Sequence, residues 1–280
     1  MKIFIPSKGR YFNIKTHSYL KDYDYKIILH NEEEKCLYMQ NETIKEDKIL
    51  VSNQPFGIAT QRNWIQENLV EKGEWYLSLD DNIECFTALP EPYYSKDNLE
   101  VQNKETNWKE LFETRIEPAR FFEICDEMIK FAEKTGAKNL GFAVVDNFFF
   151  RGKKFREVGY VISKAVLRKT CGLKFNEEAQ SVEDYSYTAE CLLKHGKVLI
   201  NNYVFPIAKH YESGGIGTYE ERLPYKLKDC ASIMKKYPGL FRYKEKSNCH
   251  PKAEIQINFT NLEQVENWRQ SMKSSLFKFC

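Results

Sequence analysis

The stretch Glu74-Trp75-Tyr76-Leu77-Ser78-Leu79-Asp80-Asp81-Asn82-Ile83 constrains the fold more than any other part of the chain. Trp75, Tyr76, Leu77 and Leu79 form the near-continuous apolar run of a strand covered on both faces. Two carboxylates then end it. Burying charge costs several kcal/mol unless it is paired or coordinated, so Asp80 and Asp81 are not there to fill a core. In an open α/β sheet, the carboxyl ends of strands are where ligands bind.

The segments before this strand alternate in period. Strands are predicted at Lys2–Pro6, Tyr25–His30 and Lys48–Asn53, and helices at Glu32–Met39 and Ile58–Val70. Strand, helix, strand, helix, strand is the signature of a parallel α/β sheet. Beyond Ile83, residues 90–107 are polar and turn-rich and read as a long loop. A helix opens at Glu117-Pro118 and runs to about Thr135. Strands follow at Asn139–Val145, at Tyr160–Ser163 (antiparallel or at the edge) and at Lys197–Ile200. A helix from Ser181 to Lys194 stops at Gly196, and a late strand is predicted at Ile255–Phe259.

Composition sets the compartment and the charge layout. The eight cysteines are scattered, with no C-x-x-C pair, which argues against a zinc module or a disulfide framework and for free thiols in a reducing cytoplasm. No apolar run is long enough to span a bilayer, and the start reads as a first strand rather than a signal peptide. Residues 224–280 carry eleven Lys/Arg against five Asp/Glu, whereas the rest carries 31 against 35. A basic end on an acidic body suits a polyanionic partner, or simply a solvated surface.

Four constellations carry chemistry. Asp80-Asp81-Asn82 can hold a hard divalent cation, Mn²⁺ or Mg²⁺, with the phosphates of a sugar nucleotide; the ordinary alternative is an acidic turn. Glu183-Asp184 offers a general base, though acids at a helix start are also favoured by its dipole. His210 precedes a glycine-rich loop containing Gly214 and Gly215, which could complete a metal shell and fold over phosphates. Gln61-Arg62-Asn63, on a helix after a strand, could bind a phosphate or be ordinary helix surface. Lys153, Lys154 and Arg156, and the pair Arg168-Lys169, could follow a phosphate backbone or be solvated. His17 and His195 read as structural.

In order, these pieces resemble a glycosyltransferase of the GT-A fold. The carrying residues are Ile5-Pro6-Ser7-Lys8-Gly9-Arg10, Gly57 to Asn63, Leu79 to Asn82, Val182 to Tyr185, and Lys209-His210 with the Gly214-Gly215 loop. More narrowly, the Gly-Gly-Ile-Gly-Thr-Tyr219 loop resembles that of the phage glycosyltransferases associated with TET-like DNA hydroxylases. The fold implied is α/β, a GT-A (Rossmann-like) mixed sheet with flanking helices, over residues 1–223. A basic, mainly helical extension packed on it would follow over 224–280. The resemblance implies a UDP-sugar donor and an acceptor in double-stranded DNA carrying a hydroxymethylated pyrimidine, such as 5-hydroxymethylcytosine.

It also implies roles. Ser7 and Arg10 would sit near the nucleoside, and Gln61, Arg62 and Asn63 near base or diphosphate. Asp80 would face ribose or sugar, Asn82 would bind the donor or, in place of Asp81, face the metal, Gly214 and Gly215 would cover the donor, and Asp81 and His210 would bind Mn²⁺ or Mg²⁺. Asp184 or Glu183 would be the base in a single inverting displacement. Lys153, Lys154, Lys235, Lys236 and Arg242 would meet DNA, with Tyr237, Phe241 and Tyr243 interleaved among the cations. Asn82 stands where the family has a third acid. Other readings are the same fold acting on a glycan or protein, a nucleotidyltransferase, and a non-catalytic DNA-binding protein.

Overall fold

A computed structural model describes residues 1–55, 57–89, 114–145, 153–208, 218–245 and 250–276. The elements in chain order are β1 (Lys2–Pro6), α1 (Lys15–Tyr19), β2 (Lys26–Leu29), α2 (Glu32–Tyr38), β3 (Ile49–Val51), α3 (Ile58–Asn68), β4 (Trp75–Leu79), β5 (Ile83–Ala88) and β6 (Arg115–Ile116). They continue with α4 (Pro118–Thr135), β7 (Asn139–Phe142), β8 (Phe155–Arg156), β9 (Ala165–Lys169), α5 (Glu183–His195), β10 (Leu199–Asn201) and β11 (Val204–Ala208). The last are α6 (Tyr219–Lys236), β12 (Phe241–Tyr243), β13 (Ile255–Ile257) and α7 (Leu262–Leu276).

The main sheet has eight strands in the order β3-β2-β1-β4-β9-β7-β10-β8. β1 is parallel to both β2 and β4, β2 to β3, and β7 to β10. β9 runs antiparallel between β4 and β7. The expected mixed α/β sheet with flanking helices is therefore present. Two smaller sheets, β11-β5-β6 and β12-β13, are antiparallel.

Alternation along the strands divides the core. Ile3, Ile5, Leu77, Leu79, Ala165 and Leu167 face one side and pack with α4 through Phe121, Ile124, Cys125 and Met128. Phe121 stacks on Phe86 at 3.8 Å between centroids, with Phe142 against both. α4 starts at Pro118, whose missing N–H costs nothing in the first turn, and ends at Gly136 with φ 86°. Phe4, Ile28 and Tyr76 face the other side, under Ile65 of α3. Val166 and Ile200 lie under α5.

Six strands went unread or were misplaced. The strand expected at 160–163 begins instead at Ala165, and it is central rather than marginal. Its Arg168 and Lys169 hid it, because Arg168 reads as solvated yet is fully buried. That burial corrects the idea that Arg168 follows a phosphate backbone. β5 and β11, far apart in sequence, form an antiparallel pair that was not anticipated, and neither were the short strands β6, β8 and β12.

The basic end packs against α5. α6 runs across the expected 223/224 boundary, opened by a capping box between Thr218 and Glu221. Cys230, Ile233, Tyr237, Phe241, Ile255, Val265 and Trp268 share one core with Tyr187, Ala189, Cys191 and Leu192 of α5. Asp229 accepts from the Ser181 N–H at 3.1 Å and from its hydroxyl at 2.6 Å, just before α5. Arg269 donates to the Leu193 carbonyl at 2.8 Å and the Lys194 carbonyl at 3.2 Å, capping the far end of that helix.

Candidate active site

The parallel strands β1 and β4 end side by side, and β9 begins beside them. Asp80 and Asp81 leave β4 at this edge. Thr16 fixes their backbone: its hydroxyl donates to the Asp80 carbonyl at 2.5 Å and its N–H to the Asp81 carbonyl at 3.2 Å, while the Ile83 N–H donates to its Oγ1 at 2.9 Å. The Asp80 N–H donates to the Lys164 carbonyl at 2.7 Å.

The two acids then diverge. Asp81 turns toward the Ser7–Arg10 turn after β1. Its Oδ2 accepts from the Ser7 hydroxyl at 2.6 Å and its Oδ1 lies 3.2 Å from Arg10 Nε. Tyr38 Oη sits 2.6 Å from Ser7 Oγ and accepts from the Arg10 N–H at 3.1 Å. Glu34 accepts from the Gly9 N–H at 3.2 Å, with its own carboxyl pushed up by burial. Burial also pushes Asp81 up, to about 6, against the lowering effects of Ser7 and Arg10.

Asp80 turns the other way, toward Arg62. Arg62 Nη2 lies 3.1 Å from Asp80 Oδ1 and donates to the Ser163 carbonyl at 3.1 Å, while Nη1 donates to Glu183 Oε1. The guanidinium is thus a bridge from the end of β4 to the first turn of α5. Asp184 beside it accepts from the Tyr160 hydroxyl, from the Ser163 N–H at 3.4 Å and from the Tyr185 N–H at 2.9 Å. The Tyr160 and Tyr185 rings stack at 4.0 Å over this carboxylate. Burial raises the pKa of both Glu183 and Asp184; Arg62 opposes it in each, after Tyr160 in the case of Asp184. Glu183 is buried, whereas Asp184 is half-buried and the more accessible of the two.

Gln180 locks the same two helices. Its Oε1 accepts from the Ala59 N–H at 2.8 Å and its Nε2 donates to Thr60 Oγ1 at 3.2 Å. Gly57, at φ 153°, makes room for it: a Cβ there would stand 2.5 Å from Gln180 Nε2. The first turn of α3 is therefore occupied by a protein group.

The structure gathers Ser7, Arg10, Arg62, Asp80, Asp81, Glu183 and Asp184 around this edge. Asn82 follows in the turn into β5, half-buried. Gln61 is buried on α3, and its amide finds no hydrogen-bond partner among the described residues. Asn63, expected near the donor, is taken up by the loop after β9: it donates to the Phe175 carbonyl at 3.1 Å and to Glu177 at 2.7 Å, and accepts from the Phe175 N–H at 2.7 Å. His210, Gly214 and Gly215 lie outside the described residues, as does the 90–107 loop. Lys153, Lys235 and Arg242 are exposed. Lys154 faces Glu127 at 3.9 Å and Lys236 faces Glu190 at 3.1 Å, so part of the expected DNA-facing charge is compensated internally. His17 is structural, bonded to Tyr25 and to Thr43.

A divalent cation finds little here among the described residues. No three His, Cys, Asp or Glu side chains converge. Asp81, expected as a ligand, has one oxygen on Ser7 and the other on Arg10. The described residues do not fit a metal centre.

Sequence reasoning missed Thr16, Tyr38, Tyr160, Ser163 and Lys164. Lys164 is buried, its ammonium pKa lowered by burial and raised by the nearby Asp80. One signal was available: α3 buries Thr60, Gln61, Arg62 and Asn63 together, a polar face that a core-packing helix does not need.

No family model matches the chain, and no curated protein matches its sequence. Among solved structures, S. aureus TarS 1–349 in complex with UDP is similar, with a TM-score of 0.41 and 14% identity. The match covers 83% of this chain and 65% of that one, so the chain spans less than two thirds of its length. No helix among the described residues is long and apolar enough to cross a membrane.

Proposed function

We propose that the chain is a glycosyltransferase that moves a sugar from a UDP-sugar to an acceptor hydroxyl. The observation that carries this reading is the Arg62 bridge between Asp80 at the end of β4 and Glu183 at the start of α5. It sets an acid pair beside the strand end where a nucleotide sugar would bind, with cations on both sides.

In this reading Ser7 and Arg10 receive the nucleoside and Asp80 orients ribose or sugar. Arg62 and Lys164 stabilise the charge that develops on the departing diphosphate. Asp184 is the base: it is the accessible member of the pair, while Glu183 is committed to Arg62. It takes the acceptor proton as the hydroxyl oxygen attacks the anomeric carbon opposite the leaving group. The configuration inverts.

For the acceptor we propose a hydroxymethylated pyrimidine in duplex DNA, 5-hydroxymethylcytosine first. The resemblance and the +6 charge of residues 224–280 support it. Such a base must leave the stack to reach Asp184. The test combines the protein with Mn²⁺, a panel of UDP-sugars and duplex DNA with cytosine or 5-hydroxymethylcytosine. UDP release and nucleoside masses are followed. A hexose-sized gain only on the hydroxymethylated DNA supports the whole reading. UDP release without a mass change removes the DNA acceptor, and no release from any donor removes the glycosyl transfer.

A further inference from the structure

We infer that Arg168 is a positioning residue: from inside the core it holds Ser163, and through the Ser163-Lys164 dipeptide it aligns Arg62, Asp80 and Asp184. Its consequence for turnover rests on the glycosyl-transfer reading above, but the geometry does not.

Arg168 is 0% exposed, the largest fully buried side chain among the described residues. It lies in β9, opposite Tyr76 of β4 and Asn139 of β7. Its guanidinium stands 4.7 Å from the Phe175 ring centre and 5.1 Å from that of Tyr187. Among the described residues no carboxylate forms an ion pair with it; its Nη2–H donates to Ser163 Oγ at 2.6 Å, and its charge opposes the upward push of burial on the Tyr76 hydroxyl of the neighbouring strand. The aromatic faces offset part of the cost of burying this charge. A methionine would fill similar space with no charge to desolvate. Beside its interaction with Tyr76, what the guanidinium adds is a directional bond that ends on Ser163.

Ser163, 2% exposed, is where the site is assembled. Its carbonyl accepts from Arg62 at 3.1 Å and its N–H donates to Asp184 at 3.4 Å. The next carbonyl, of Lys164, accepts from the Asp80 N–H at 2.7 Å. One dipeptide thus touches the bridge, the strand-end acid and the base. Ser163 and Lys164 sit in a turn, outside the β9 ladder, and Arg168 restrains that turn from behind.

The test uses the full chain as Arg168→Met, Ser163→Ala and the double variant. The Asp184 carboxyl is titrated by ¹³C NMR, and melting and donor turnover are measured alongside. Loosening Ser163 removes an N–H donor from the carboxylate, so each single variant raises the Asp184 midpoint by about half a pH unit. The double variant goes no further, because both changes cut the same path. Turnover falls about tenfold with donor KM held within about twofold. A lower melting temperature in Arg168→Met with an unmoved Asp184 titration, or an unmoved titration in Ser163→Ala, overturns the proposal. If Arg168→Met fails to fold, Ser163→Ala alone decides. If the wild-type protein turns over no donor, glycosyl transfer falls while the titration still judges Arg168.

Discussion

Replacing Arg62 with methionine removes the cation from a buried cluster and leaves its acids facing one another. The Arg62 side chain is 4% exposed and that of Glu183 is 9% exposed, so this pair is shielded from water. Breaking a buried pair by deleting one partner costs about 3–5 kcal/mol, because the remaining charge is stranded. Asp80, 37% exposed at its side chain, adds little to that figure since solvent screens it. At about 2–4 °C per kcal/mol for chains of roughly 150–250 residues, the melting temperature falls by about 6–20 °C. The deficit depends on pH with a definite sign. Glu183 and Asp184 are already raised by burial, and losing Arg62 raises them further. The native variant then binds protons that the native wild type has released, so the variant's stability falls more steeply as pH rises. The deficit is therefore largest near pH 8 and shrinks toward pH 5. Urea denaturation of both proteins at these two values, with chelator present, measures it. A deficit below about 1 kcal/mol, or one equal at both pH values, would refute the reasoning.

Three further outcomes follow from the geometry. Asp184→Asn lowers turnover by about 10²–10⁴-fold with little change in melting temperature, whereas Glu183→Gln lowers the melting temperature through Arg62; the reverse pattern exchanges their roles. Gly57→Ala destabilises by about 1–3 kcal/mol in urea titration, from its φ of 153° and the collision with Gln180, and Gln180→Ala relieves part of the loss. Asp81 is raised to about 6, so its native state holds a proton that the unfolded chain gives up at lower pH. Its contribution is complete below the ordinary carboxylate range and is lost as pH rises through 6. Asp81→Asn, measured in chelator, removes that slope between about pH 4 and 6.

The strand-and-acid stretch at 74–83 carried most of what could be read from the sequence, because an apolar run ending in two carboxylates has few physical explanations. The parallel strands before it and the helices at 118–135 and 183–195 follow from periodicity and from Pro118, Gly136 and Gly196. What was hidden is tertiary. Arg168 has the composition of a surface and the burial of a core, so β9 could not be recognised from its own residues. The Glu183-Asp184 pair was visible, but the difference between them was not. It arises from Arg62, 121 residues away in sequence, and from Tyr160, neither of which announces its direction. Thr16 and Tyr38 act through single hydroxyl groups that no spacing marks.

The core shared by α5 and the basic end has a consequence in time. Val265 and Trp268 complete the cluster that holds the helix bearing Asp184. A ribosome adds roughly 5–20 residues per second, so about 80 residues, or roughly 4–16 seconds of synthesis, separate Asp184 from the packing that seats it. Until then the acids hang on an unfinished wall.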